Sequence, residues 1–406
     1  MYQLTLWVIL LFPFTGLIFI GMFPGEYYWL TSGGSVIAPL VYYSLFLSGA
    51  TGAVLKFNKF RFQIIDKLPG QFRSELPLLI LMFIILVIVF VGYGGMSVLL
   101  GDASKEDIRQ SGFVYSILTK YLLPSIFAYI SARRRAQLVT RGQWWLAFLM
   151  TLAAGLSMGG KASALIAILP GLAILFSNKL SFLWVLIIAG GVFISLISAA
   201  WLFDSFLERN AFVIMGYLAH RAFVLTAEAP FHVGVAYSEN QPIIEYHYTL
   251  FEVFGKSVLS NFVGQHEIHK YLFSHAFTAW LYPDNIDSIT SGAWNITPNA
   301  FVEALIVGGP FLLPVLGWAV VYAAYVLWAR MVRQINRGKY ASAAITSVYA
   351  VIVYLSWTNS AGIMQLIHPL AIVSLALSWM LLRILPSFSL QPRQHKRAFA
   401  GEPQFS

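Results

Sequence analysis

The residues best able to do chemistry in this chain are cations set at the margins of long apolar runs. Arg109 follows the short acidic loop GDASKED. If a helix begins there, Arg109, Phe113, Ser116 and Lys120 share one face at i, i+4, i+7 and i+11. Lys161 closes the turn Gly159-Gly160-Lys161. Two glycines there let backbone N–H groups approach a ligand, and the next helix starts with its positive dipole end. His220 and Arg221 are adjacent, ahead of Pro230 and Gly234, and Arg209 precedes His220 by 11 residues, close to the same helical face. Guanidinium groups grip phosphate in pairs of hydrogen bonds, and imidazole exchanges a proton near neutral pH. Ionisable groups at membrane depth are costly and tend to mark function. The plainer readings are a solvated Arg109, a Lys120 that snorkels outward, a Lys161 in an ordinary turn, and an Arg221 paired with Glu208 or Glu228.

Other signals are weaker. His266 and His269 have metal-ligand spacing, but no third ligand accompanies them, so no metal site is read here. Asp284 and Asp287 read as a solvated loop, and Asn295-Ile296-Thr297 is a bare glycosylation triplet without a secretory context. No phosphate-binding glycine loop, nucleophile elbow or zincin motif is present. The chain has no cysteine, which excludes disulfides, thiolate metal sites and cysteine nucleophiles.

The elements that must hold these residues are apolar. Of 406 residues 58% are hydrophobic and only 11% charged, too few charges to cover a water-soluble surface. Runs long enough to cross ~30 Å of hydrocarbon lie near 4–22, 35–55, 77–100, 113–131, 143–159, 162–178, 182–203, 299–328, 341–357 and 363–384. They predict an all-α, polytopic bundle of about ten transmembrane helices. The first run lacks a basic leader and cleavage site, so it reads as a span. The net charge of +9 does not point to nucleic acid: eighteen of the 26 basic residues fall in connections on one face, which places that face and both termini in the cytoplasm.

The opposite face carries 204–298, with nine acids, four bases and six of the eight histidines. Within it, 211–225 reads as a helix on the outer membrane surface rather than an eleventh span. Residues 249–262 read as amphipathic, with Phe251, Phe254, Val258 and Phe262 opposite Glu252, Lys256 and Ser260. The chain thus divides into helices over 1–203, a large outer loop over 204–298, helices over 299–384 and a cytoplasmic tail over 385–406. Cations beside an outer-leaflet cavity roofed by a polar loop suit an anionic lipid headgroup bearing a polar cargo.

Three local patterns resemble the superfamily of O-antigen polymerases (Wzy-type) and O-antigen ligases. GLSMGGKASALIAILPGLAILF resembles its small-residue, cationic, helix-starting motif, with Lys161 where arginine is common. HRAFVLTAEAP, followed by Val233-Gly234, resembles its arginine-to-glycine motif in the large periplasmic loop. TPNAFVEALIVGGPFLLPVLG resembles its return into the membrane, with Asn299, Glu303, Gly308 and Gly309. Ligases often carry histidine where Pro298 stands, which favours the polymerase.

The resemblance implies a GT-C-like glycosyltransferase of the bacterial inner membrane, with no metal or other cofactor and an active site facing the periplasm. Its substrates would be oligosaccharide repeat units on undecaprenyl pyrophosphate, with a chain-length regulator protein as a further partner. Arg109, Lys161 and Arg221 would hold the donor pyrophosphate, with Lys120 and Arg209 as further cations near it. His220 would be the general base, with His275 and Glu303 in reserve. The competing readings are the ligase and a flippase of lipid-linked sugars; a flippase predicts repeated halves and broken helices.

Overall fold

A computed structural model describes residues 2–27, 34–57, 75–100, 112–158, 163–176, 211–244, 251–252, 254, 259, 262–291, 296, 298–358 and 367–388. Among them every regular element is helical. In chain order these are α1 (Tyr2–Met22), α2 (Ile37–Phe57), α3 (Leu76–Val87), α4 (Gly95–Leu100), α5 (Gly112–Ser116), α6 (Leu123–Arg135), α7 (Arg141–Leu156) and α8 (Ser163–Leu175). Then come α9 (Ala211–Ser238), α10 (Phe273–Leu281), α11 (Ile286–Ser291), α12 (Ala300–Asn336), α13 (Tyr340–Thr358) and α14 (Pro369–Ile384). α2 and α12 are long and apolar enough to cross a membrane, and shorter apolar helices cover Leu10–Met22, Leu76–Gly92, Ile166–Leu175, Tyr340–Leu355 and Pro369–Ile384. The apolar run at 182–203 lies outside the described residues.

Local chemistry sets several boundaries. α7 opens on a capping box, in which the Thr140 hydroxyl accepts from Gln143 N and the Gln143 side chain accepts from Thr140 N. α6 ends on Arg133, Arg134 and Arg135, cations suited to the negative end of a helix. α12 starts at Asn299, whose side chain accepts from Val302 N at 3.2 Å. It bends at Gly309, where φ is +61° just before Pro310, a conformation that costs L side chains and not glycine. Two π turns, Ile88–Gly92 and Ile117–Leu122, interrupt the α-helical register.

Packing falls into two apolar cores. One gathers α1, α2, α9, α10 and the first part of α12 around Tyr43, Phe46, Phe273, Phe277 and Phe301. The other gathers α3, α6, α7, α8, α13 and α14 around Leu78, Leu123, Ile126 and Phe127. α12 serves both, giving Phe301 to Ala324 to the first and Met331 to Ile335 to the second. α2 and α12 run in the same direction with backbones touching: Gly49 abuts the Pro314 carbonyl, Gly317 abuts Phe46, and Phe57 stacks on Tyr325 at 4.5 Å. Small residues permit that approach where no water-driven force assists helix pairing. A buried ion pair joins Arg133 to Glu75, at the foot of α3.

The outward surface is apolar. Phe311 is 94% exposed, Val91 80%, Ile37 70% and Leu55 64%. Such side chains are what an all-helical chain would turn toward lipid.

Candidate functional site

The described part of 204–298 is folded against the helices where it leads into α12. α10 buries Phe273, Ser274, His275, Phe277 and Thr278. The Thr278 hydroxyl accepts from Ile296 N at 3.0 Å and donates to the Ser274 carbonyl at 2.6 Å. That clasp fixes the strand of chain leading to Asn299 and Glu303. Glu303 is buried in the first turn of α12, where the helix dipole favours a carboxylate. Glu252 is fully buried and accepts from Phe273 N at 3.4 Å, at the first turn of α10.

α9 lies along α1 and α2. Gly16 leaves room for the Phe223 carbonyl and Ala227, and Gly234 sits on Pro39. Within α9, Glu228 accepts from the Tyr282 hydroxyl at 3.0 Å. Burial raises the Glu228 pKa, and the tyrosine hydroxyl opposes that only in part. Burial and the Glu228 carboxylate together push the Tyr282 hydroxyl upward. His232, also on α9, is pushed down to about 4 by burial, so its imidazole is neutral near pH 7.

A second junction involves His368, the cap of α14. Its Nδ1 accepts from Leu370 N at 3.2 Å, and its other nitrogen donates to the Phe254 carbonyl of the loop. Lys120, on the π turn after α5, is close enough for its charge to act on the same imidazole. Nearby in sequence, the Tyr115 ring packs edge-on to Tyr93 at 5.4 Å, and Gly95 abuts Ser157 at the end of α7. The ends of α5 and α7 and the turn before α4 therefore meet.

The residues singled out in the sequence fare differently. Arg109, Lys161 and Arg209 lie outside the described residues, as does the Arg221 side chain, although α9 includes its position. His220 is half-buried and stacks on Tyr27 with ring centres 6.1 Å apart. His275 and Glu303 are buried on α10 and α12, in elements of the same core.

One expectation is corrected. The stripe from Arg109 to Lys120 assumed one continuous α-helix, but Ile117–Leu122 is a π turn, so Ser116 and Lys120 do not keep α-helical phase. In the amphipathic stretch read over 249–262, the described Phe251, Phe254 and Phe262 are exposed and Glu252 is buried. Glu252 finds the N–H of Phe273 inside, and the phenylalanines face outward as they would toward lipid.

His368, His232 and Tyr282 are polar residues here that the sequence did not single out, and Glu252 was read only as part of a polar helix face. His368 was legible as an ionisable residue within an apolar run, directly before a proline that suits the first helical position. His266 pairs with Asp287 at 3.2 Å, and Lys270 with Glu267 at 2.5 Å, all on the exposed surface. Among the described residues no three of His, Asp and Glu gather as a metal site. No protein-family model, curated protein or solved structure matches the chain.

Proposed function

We propose that the chain is a multi-span enzyme of the bacterial inner membrane that polymerises oligosaccharide repeat units carried on undecaprenyl pyrophosphate. The growing glycan is the donor and a single lipid-linked repeat unit the acceptor. A hydroxyl oxygen of the acceptor bonds to the anomeric carbon of the donor, whose bond to the pyrophosphate oxygen breaks. The hydroxyl proton passes to a base, His220 first and His275 or Glu303 in reserve. Undecaprenyl pyrophosphate leaves, and Arg109, Lys161 and Arg221, with Lys120 and Arg209, stabilise its charge.

One observation carries the reading: the junction where Lys120, His368 and the loop backbone at Phe254 converge. It sets a cation beside a polar junction that ties the loop to the helices, under a loop that buries acids and histidines, which suits the charge of a diphosphate leaving group. The apolar exposed faces, the positive connections and the three resembling motifs support the membrane setting and the substrate class.

A second reading, a flippase of the same lipid-linked sugars, draws support from the broken helix at Gly309 and the two π turns. One assay divides them. Purified protein given lipid-pyrophosphate repeat units in detergent makes a ladder of lengthening glycans without nucleotide sugar. Arg221→Ala slows the ladder roughly 10²–10³-fold, about 3 kcal/mol of barrier. An unchanged ladder in that variant removes the site assignment. Translocation in sealed vesicles with no ladder favours the flippase.

A further inference from the structure

At the opposite end of α12 the surface changes character along a single stripe. Phe311, Val315, Tyr322, Val326, Arg330, Arg333 and Arg337 follow one another at spacings of four, seven, four, four, three and four residues, so they share a face, and all are exposed. The first four are apolar and the last three are cations. The cationic end opens into a recess of about 390 Å³, with Lys339 and Ser342 on its far wall and no acid in its lining. Ser342 accepts from Trp379 Nε1 at 3.3 Å, which leaves its own O–H to donate. Arg383 lies over the Trp379 ring at 4.2 Å and brings a fifth positive charge from α14.

We propose that this stripe and recess form a binding site for an anionic phospholipid, its phosphate held by Arg330, Arg337 and Lys339 and its acyl chains laid along Val326, Tyr322 and Val315. The continuity of apolar stripe and basic recess favours a lipid over a free phosphate, since a soluble anion would use the recess alone. The inference rests on the bilayer setting and not on the sugar chemistry; a chain that makes no glycan ladder could still bind lipid here.

Native mass spectrometry of the full-length protein in detergent tests it, with dioleoyl phosphatidylglycerol, dioleoyl phosphatidylcholine and glycerol 3-phosphate as probes. Phosphatidylglycerol is retained at least tenfold more than phosphatidylcholine. The double variant Arg330→Gln/Arg337→Gln loses that preference. Arg135→Gln/Arg141→Gln, which removes the same charge from the α6–α7 turn, keeps it within twofold. Lys339→Gln, an exposed single change, weakens retention severalfold and serves if the double variant is poorly folded. Equal loss in both double variants overturns the site in favour of diffuse charge attraction. Retention unchanged in the Arg330/Arg337 variant also overturns it, as does glycerol 3-phosphate displacing the lipid at equal concentration.

Discussion

Two titrating side chains on one helix pull stability in opposite directions with pH. His232 is neutral in the fold because burial holds its pKa near 4, below the ordinary imidazole value. A depressed pKa contributes stability that is complete above about pH 6.5 and is lost as pH falls toward 4, on the order of 3 kcal/mol in full. Glu228 has a raised pKa, so its contribution is present at low pH and is lost as pH rises through the folded value. His232→Leu should therefore flatten the fall in melting temperature between pH 6.5 and 4, and Glu228→Gln should flatten the opposing fall as pH rises from the ordinary carboxylate range. Thermal unfolding followed by tryptophan fluorescence across that range checks both. At this scale the sequence was informative where a charge sat alone in an apolar run. It was uninformative about partners: nothing in the spacing of Glu228 and Tyr282, or of His368 and Phe254, announces their hydrogen bonds, because each is made across the fold.

The apolar runs of the sequence anticipate the helices well, because a long stretch without charge has few other ways to satisfy its backbone in a dry setting. What periodicity did not foresee were the departures. α9 was expected to stop near residue 225 and instead runs to Ser238 through Pro230. Phe231, Val233 and Ala236 are buried beyond the proline, so packing against α2 outweighs the lost N–H bond. The bend in α12 was visible as Gly309-Pro310 but not as a left-handed residue. Gly309→Ala should cost about 1–2 kcal/mol, because an L side chain is strained at that φ and the new methyl would press on the Tyr237 hydroxyl. The loss is read as a lower melting temperature with unchanged helical circular dichroism.

For the molecule as a whole, orientation is the property most open to direct measurement. The chain has no cysteine, so any single cysteine introduced is a unique label. Asp284→Cys, in the exposed part of the outer loop, should react with a membrane-impermeant maleimide in intact spheroplasts. Arg141→Cys, at the exposed start of α7, should react only after permeabilisation. The opposite pattern would invert the placement of every cation in the proposed reaction and set the phospholipid recess on the outer leaflet.

The close seating of α2 on α12 has a mechanical consequence. With Gly49 lodged against Pro314 and Gly317 against Phe46, neither helix can slide along the other without first lifting clear of it. The pair is therefore a fixed post, and under the proposed function an opening that admits a bulky lipid-borne sugar has to come from other elements. The π turns at Ile88–Gly92 and Ile117–Leu122 are the places where such bending would be expected, and the second contains Lys120.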